Sequence, residues 1–282
     1  MRCGIGLPNL HELADPRVLA DLGRRAEAAG WDGVFIWDHI SARAPAAPAT
    51  DPWIALAAIA ATTERVRLGA LVTPLARRRP WKVARETVAL DQLSEGRLIV
   101  GVGLGAAAGP EFEAFGEDGD PRVRARKLDE SLDVLAGLWS GKPVDFDGEH
   151  LHVHGAEFHP TPVQRPRIPV WVAGRWPNRR PFRRAARWDG LFPVREGQAE
   201  DETISPRDAA DAAAWAAAHR DPGLPPLDLV VEGLTTGQDR SAACEAVAPY
   251  AEAGVTWWIE KLGWMRGGLA ASQARIAAGP PA

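Results

Sequence analysis

The residues best equipped for proton chemistry are Asp38 and His39, which follow directly on an apolar run from Val34 to Trp37. An imidazole titrates near neutral pH, and a carboxylate beside it can orient the ring or fix its charge, so the pair is a candidate acid or base. A hydrogen-bonded loop pair with no catalytic part is the plainer reading of the same two residues. A second run, Gly101-Val102-Gly103-Leu104-Gly105-Ala106, lacks the side chains that would keep a flat ring or a phosphate off the backbone. Gly101, Gly103 and Ala106 also fit G-x-G-x-x-A, the spacing of a dinucleotide fingerprint. Such a fingerprint opens its helix at once, whereas here helix signals resume only near Asp120-Pro121. A third run, Ala173-Gly174-Arg175-Trp176-Pro177-Asn178-Arg179-Arg180, combines a turn into a helix with several guanidinium groups, which would suit a phosphate. A strand-to-helix turn on a basic surface accounts for it equally.

Other patterns carry less. Arg77, Arg78 and Arg79 could clamp an anionic ligand or pair with acids at the rim, but bland surface charge is the favoured reading for most of the run. His150, His152 and His154 alternate as on one face of a strand, and a hairpin with exposed imidazoles explains them better than a metal site, so no metal is expected. The 12 tryptophans include Trp37, Trp53, Trp171, Trp176, Trp257, Trp258 and Trp264; several close apolar runs, where a few could wall an aromatic ligand. No serine-hydrolase, zincin or P-loop motif occurs.

Something must hold these residues together. Apolar runs at Cys3 to Leu7, Val34 to Trp37, Val66 to Thr73, Leu98 to Val102, Ile168 to Val172, Gly190 to Phe192, Leu227 to Val231 and Val255 to Ile259 read as eight strands. Between them, Asp15-Pro16, Asp51-Pro52, Asp120-Pro121 and Ser205-Pro206 each pair an N-cap residue with proline at the first helical position. Leu19, Leu22, Ala26 and Ala29, and again Leu128, Leu132, Leu135 and Trp139, form apolar stripes that stop at Gly30 and Gly141. Eight such cycles predict an α/β fold, a (β/α)8 barrel, with a doubly wound open sheet as runner-up. In both, chemistry collects at the C-terminal ends of the strands. The whole chain, 1–282, reads as one domain, with a hairpin-like insertion at 142–167 and a frayed tail at 270–282.

Composition narrows the class. The 282 residues are 46% hydrophobic, ample for a core, but no apolar run is long enough to span a bilayer and no secretory signal is visible, so a cytoplasmic protein is expected. A net charge of -4 gives no long-range attraction for nucleic acid. Cys3 and Cys244 fit neither a disulfide framework nor a zinc ribbon and read as buried thiols.

Taken together, several segments make the chain recognisable. They are Glu27-Ala28-Ala29-Gly30-Trp31-Asp32-Gly33-Val34 running on to Trp37-Asp38-His39, Arg67-Leu68-Gly69 with Val72-Thr73-Pro74, and Ala84-Arg85-Glu86-Thr87 with Asp91-Gln92-Leu93-Ser94-Glu95-Gly96-Arg97. The order continues through the Gly101 to Gly105 run, Trp139-Ser140-Gly141, Pro169 to Gly174 and Arg184-Ala185-Ala186-Arg187-Trp188-Asp189-Gly190. Over about residues 3 to 194 the chain resembles the bacterial luciferase-like monooxygenase superfamily, whose members use reduced FMN or the 5-deazaflavin coenzyme F420 on a (β/α)8 barrel.

The resemblance implies roles. Asp38 and His39 match the acid-histidine pair beside the reactive ring, with His39 as acid or base. Ala70, Leu71 and Thr73 would lie at the ring, near a non-prolyl cis peptide expected around Ala70-Leu71. Gly105 and Ala106 would flank the cofactor, while Gly174 and Arg175, with the helix after them, would hold its phosphate and Ala173 and Trp176 would join them in the cofactor site. Many deazaflavin-using relatives carry a glutamate soon after the strand-four glycines; here Ala106 to Pro110 intervene before Glu111. That gap tips the expectation towards an oxygen-using FMN monooxygenase acting on a small organic substrate, served by a separate flavin reductase and forming a homodimer. The alternative is deazaflavin-dependent hydride transfer. Two rivals from other classes are an NAD-dependent Rossmann dehydrogenase, with Asp118 or Asp120 on the ribose, and a non-catalytic flavin-binding relative.

Overall fold

The computed structural model describes residues 1–41, 47–105 and 111–281. Its strands are β1 (Arg2–Leu7), β2 (Gly33–Ile36), β3 (Arg67–Ala70), β4 (Thr73–Pro74), β5 (Val100–Gly103), β6 (Val144–Asp147), β7 (His152–Ala156), β8 (Val170–Trp176), β9 (Gly190–Arg195), β10 (Asp228–Gly233) and β11 (Trp257–Lys261). The parallel sheet runs β3-β2-β1-β11-β10-β9-β8-β5-β4. Its two ends belong together: β3 and β4 are one strand interrupted at Leu71 and Val72, whose peptide bond is cis, one residue beyond the expected position. Because β3 pairs with β2 and β4 pairs with β5, the ring closes into a (β/α)8 barrel built from all eight predicted strands. The open-sheet alternative and the dinucleotide-fingerprint reading both fall with that closure. Asp118 and Asp120 have a local task instead, since Asp118 accepts from the Asp120 N–H and Asp120 caps the following helix.

The helices are α1 (Pro16–Ala28), α2 (Pro52–Thr62), α3 (Pro80–Leu93), α4 (Pro121–Trp139), α5 (Arg180–Ala185), α6 (Pro206–Ala217), α7 (Arg240–Glu252) and α8 (Gly268–Ala277). All four predicted starts are used: Asp15, Asp51, Asp120 and Ser205 each accept a backbone N–H of the first turn. Each cap is worth about 1 kcal/mol, so four of them fix where the outer layer begins.

Two layers of core follow from strand alternation. Outward residues such as Ile5, Leu7, Val34, Ile36, Val100, Val102, Val170 and Val172 pack beneath the helices. Inward residues form a separate cluster around Phe35, Trp171 and Trp257, whose rings lie 5.2 to 5.7 Å apart. That aromatic layer fills the lower barrel and forces any ligand to the upper end.

Two expectations need correction. Over the described residues 270–281 the frayed tail is not found, because α8 buries Ser272, Arg275 and Ile276, and the Arg275 guanidinium bonds to Glu260 and Thr235. A basic residue with a buried carboxylate partner, not visible from composition, pins the end of the chain. Cys3 is buried, but Cys244 is only half-buried. The segment before β8 does contain an antiparallel hairpin, β6 with β7, as a sheet apart from the barrel. Glu130 of α4 holds its tip by accepting the N–H groups of Glu149, His150 and Leu151. No described helix is long and apolar enough to cross a membrane.

Candidate active site

At the C-terminal end of β2 the chain leaves the barrel through Trp37, Asp38 and His39, and its direction there is fixed from both sides. Asn9, fully buried at the end of β1, donates through Nδ2 to the carbonyls of His39 and Thr50 at 2.7 Å each, while its Oδ1 accepts the His39 N–H at 3.1 Å. The His39 backbone is thereby clamped before its ring makes any contact.

The ring's partner is not its neighbour. His39 Nδ1 lies 2.9 Å from Glu111 Oε1, and the same oxygen accepts the backbone N–H groups of Ile40 and Ser41 at 3.0 and 3.4 Å. Burial pushes the Glu111 carboxyl up, but the His39 hydrogen bond, the charges of His39 and Arg77 and the Ser41 N–H outweigh it and hold the group below the usual carboxylate range. A carboxylate can only accept, so Nδ1 carries the proton, and in the neutral form of the ring the lone pair is on Nε2. The His39 side chain is 28% exposed, enough for a reactant to reach it.

Asp38 turns the other way. Its Oδ1 accepts from Arg77 at 3.1 Å and from Arg78 at 2.7 Å, with the Asp38 and Arg77 side chains only 1% and 3% exposed. Arg77 also donates to the Asp38 carbonyl and lies 3.5 Å from Glu111. The expected Asp38–His39 partnership is therefore replaced by a chain of charges, Arg78–Asp38–Arg77–Glu111–His39, in which Asp38 braces the arginines and Glu111 orients the ring. Of the readings of the arginine run, pairing with acids holds for Arg77 and Arg78 in place of bland surface charge; of the three, Arg79 alone is exposed, with its guanidinium near the Trp81 ring.

Around this chain the mouth has a graded lining. Above the Phe35, Trp171 and Trp257 layer the inner positions shrink to Val72, Gly103, Ala173 and Val194, leaving a shallow apolar floor. Trp37 stands beside it, 5.6 Å from the His39 ring and 5.5 Å from Trp264. Thr73 is fully buried and its hydroxyl has no partner among the described residues. A flat floor, an aromatic side wall and an orphaned hydroxyl suit a planar redox ring. Gly101 serves that surface indirectly: a Cβ there would lie 2.4 Å from the Ala70 carbonyl, so the glycine makes room for the β3–β4 interruption. Gly105 takes φ +78, a conformation that favours glycine. Ala106 lies outside the described residues.

The proposed phosphate residues divide between two faces. Strand β8 pairs with β9 as far as Trp176, four residues beyond the predicted end, so the helix begins at Arg180 instead of directly after Gly174. Gly174 faces α5, where a Cβ would sit 2.3 Å from Pro181 Cβ, and the Trp176 ring packs on Phe182 at 5.5 Å. Both are accounted for by strand-helix packing. Ala173 and Arg175 take the alternate positions, with Arg175 half exposed and 3.6 Å from Glu196.

The far side of the mouth holds a pair that sequence reading missed. Lys261, 3% exposed at the end of β11, lies 3.5 Å from Glu232 at the end of β10 and donates to the carbonyls of Glu200 and Glu202. Burial pushes the Glu232 carboxyl up, against the opposing pull of Lys261. Charged residues closing apolar strand runs were the available signal for both. Among the described residues no three His, Cys, Asp or Glu side chains gather as a metal site, and His152 is paired with Asp147.

The luciferase-like monooxygenase family profile matches residues 1–277. The chain belongs to the luciferase-like monooxygenase family. Among its relatives is the F420-dependent glucose-6-phosphate dehydrogenase of Beutenbergia cavernae, 33% identical over 239 residues, 82% of this chain and 68% of that protein. The protein of the same description from Gordonia bronchialis is 33% identical over 178 residues, 61% of this chain; the match spans about half, 52%, of that relative's length. Among solved structures, an F420-dependent secondary alcohol dehydrogenase in complex with an F420-acetone adduct superimposes with TM-score 0.77 at 18% identity, covering 98% of this chain and 97% of that one. The coenzyme F420-dependent tetrahydromethanopterin reductase of Methanopyrus kandleri gives 0.75 at 17% identity, covering 99% and 98%. A monooxygenase from Streptomyces bottropensis gives 0.66 at 24% identity, covering 90% and 78%. At these identities the structural likeness speaks for the fold alone. This member of the luciferase-like family holds its histidine by a carboxylate from the far end of the strand-four loop.

Proposed function

We propose that this luciferase-like protein is a deazaflavin-dependent oxidoreductase that moves a hydride between coenzyme F420 and a small hydroxyl-bearing substrate. The observation that carries the reading is the 2.9 Å contact between His39 Nδ1 and Glu111 Oε1. Preference for FMN in the sequence reading rests on the absence of a glutamate soon after the strand-four glycines, and Glu111 removes that objection by reaching His39 from later in the loop. Relatives named as F420-dependent dehydrogenases support the same choice.

When bound, the coenzyme supplies a two-electron hydride acceptor that does not require dioxygen. The chain's own residues would do the rest. Val72, Gly103, Ala173 and Val194 offer a flat apolar seat for the ring, and Trp37 and Trp264 exclude water from one side. As the substrate's carbon–hydrogen bond gives up a hydride, its hydroxyl proton passes to His39 Nε2 and the carbon–oxygen bond becomes a carbonyl. Glu111 stabilises the imidazolium so formed, and Asn9 keeps the ring at its post. In the reverse direction the same nitrogen returns the proton.

The experiment is an equilibrium titration of the purified protein with oxidised F420 and, separately, with oxidised and reduced FMN, followed by fluorescence under nitrogen. Binding of F420 at least about tenfold tighter than FMN is expected; the opposite order would return the reading to an FMN monooxygenase.

A further inference from the structure

Behind the charge chain lies a second cavity, of about 190 Å³, lined by Leu75 to Arg79, by Glu117, Lys127 and Ser131 of the α4 region, and by His150 and Leu151 of the hairpin tip. It is separate from the cavity beside His39, which is lined by Asp38, His39, Ile40, Thr50 and residues of the α2 start; Arg77 and Arg78 form the wall between the two.

The chemistry of this second cavity is one-sided. Its ionisable lining comprises the cations Arg77, Arg78, Arg79 and Lys127, the imidazole of His150, and a single carboxylate, Glu117. These donors are incompletely answered. Arg78 Nε is buried with no hydrogen-bond partner among the described residues, while Arg77 Nη1 and His150 Nε2 make no hydrogen bond but lie 3.5 Å from Glu111 Oε2 and 3.7 Å from Glu149 Oε1. Lys127 approaches Glu117 no closer than 3.7 Å, and no carboxylate pairs with Arg79 among the described residues. Asp38 and Glu111 meet both Arg77 nitrogens and Arg78 Nη2 from the other side of the wall, which leaves Arg78 Nε, Arg79 and Lys127 without a close carboxylate. A buried donor without an acceptor is costly, and cations of the loop after β4 and of α4 that outnumber the carboxylates lining one cavity are best answered by a multi-oxygen anion.

We propose that this cavity is a binding site for a small tetrahedral oxyanion of the phosphate class, distinct from the coenzyme and substrate positions at the barrel mouth. The anion would bridge the loop after β4, α4 and the hairpin, three elements that no strand connects. It would also brace Arg78, which holds Asp38 at 2.7 Å, and so stiffen the end of β2 from behind. The proposal stands on these donors and does not depend on which coenzyme the mouth takes.

The test is thermal unfolding of the whole protein in rising inorganic phosphate, against sodium chloride at matched ionic strength, with wild type and the double variant Arg79→Ala, Lys127→Ala. Both residues lie outside the candidate catalytic machinery and carry exposed or partly exposed side chains. A Tm that rises with phosphate and saturates is expected for the wild type, with the apparent Kd weakened about tenfold or more in the variant. An equal rise in chloride, or an unchanged response in the variant, would overturn the proposal. A crystal soaked in phosphate gives an independent reading: density within hydrogen-bond distance of Arg78 and Lys127 supports the site, and density only at the barrel mouth contradicts it.

Discussion

His39 and Glu111 are seventy-two residues apart in the chain and 2.9 Å apart at Nδ1 and Oε1. The carboxylate oxygen that meets the ring also gathers the backbone of Ile40 and Ser41, so one side chain sets both the tautomer of the base and the path of the loop that carries it.

Replacing His39 by Ala should lower kcat by about 10²- to 10⁴-fold, the ordinary worth of a positioned base, while leaving coenzyme binding near its wild-type value. Steady-state kinetics beside a coenzyme titration would check it. Equal losses in kcat and in coenzyme affinity would instead make His39 a binding residue.

Glu111→Gln removes the charge but keeps the size. Its amide can present a donor to Nδ1 and favour the wrong tautomer, so kcat should fall steeply with little change in KM. Nitrogen NMR of the wild-type imidazole should find the proton on Nδ1; finding it on Nε2 would contradict the assigned orientation.

The same carboxyl gives a pH signature. Its pKa in the folded protein is held below that of the unfolded chain, about 4.3 for a glutamate. A depressed acid stabilises the fold fully above the unfolded value and loses that contribution as pH falls through the folded value. Wild type and Glu111→Gln should therefore differ most in Tm above about pH 4.3 and converge on acidification below it. A gap that widens towards low pH would reverse the sign and refute the assignment.

Asp38→Ala should act on stability before it acts on chemistry. It would strand Arg77, 3% exposed, without its main counter-charge, and breaking such a buried pair costs about 3 to 5 kcal/mol. Urea unfolding would measure the loss. A fully stable Asp38→Ala with lowered kcat would return Asp38 to the catalytic role that adjacency suggests.

The strand-helix rhythm was legible because each link has a local cause. Asp15, Asp51, Asp120 and Ser205 cap helices through their own side chains, and the outward valines and leucines of each strand need a helix to cover them. The site was legible only in part. Adjacent residues alternate in direction at a strand end, which is why Asp38 points to Arg77 and Arg78 while His39 points to Glu111. Nothing in local spacing could join residues 39 and 111. Gly174 reads as ligand space in the sequence and as space for Pro181 in the fold; both uses need the same missing Cβ, so the residue type cannot separate them. Lys261 and Glu232 each only close an apolar run in the sequence, and the pairing of neighbouring strands β10 and β11 is what brings them together.

Gly174→Ala separates those two uses. A Cβ 2.3 Å from Pro181 Cβ should destabilise the fold by about 1 to 3 kcal/mol through overpacking. Arg175→Ala, at a half-exposed residue, should leave stability near wild type and weaken phosphate-bearing coenzyme more than its dephosphorylated form. Chemical denaturation and binding titrations on both variants would decide. Equal weakening of the two coenzyme forms would remove Arg175 from any phosphate site.

The most direct measurement is anaerobic turnover. The protein would be mixed with oxidised F420 and a panel of small alcohols and sugar phosphates under nitrogen, then again in air, following loss of the coenzyme's visible absorbance. Hydride transfer from at least one of them, at a rate indifferent to oxygen and abolished in His39→Ala, is the predicted result. Turnover only with reduced FMN, and only when oxygen is admitted, would contradict it.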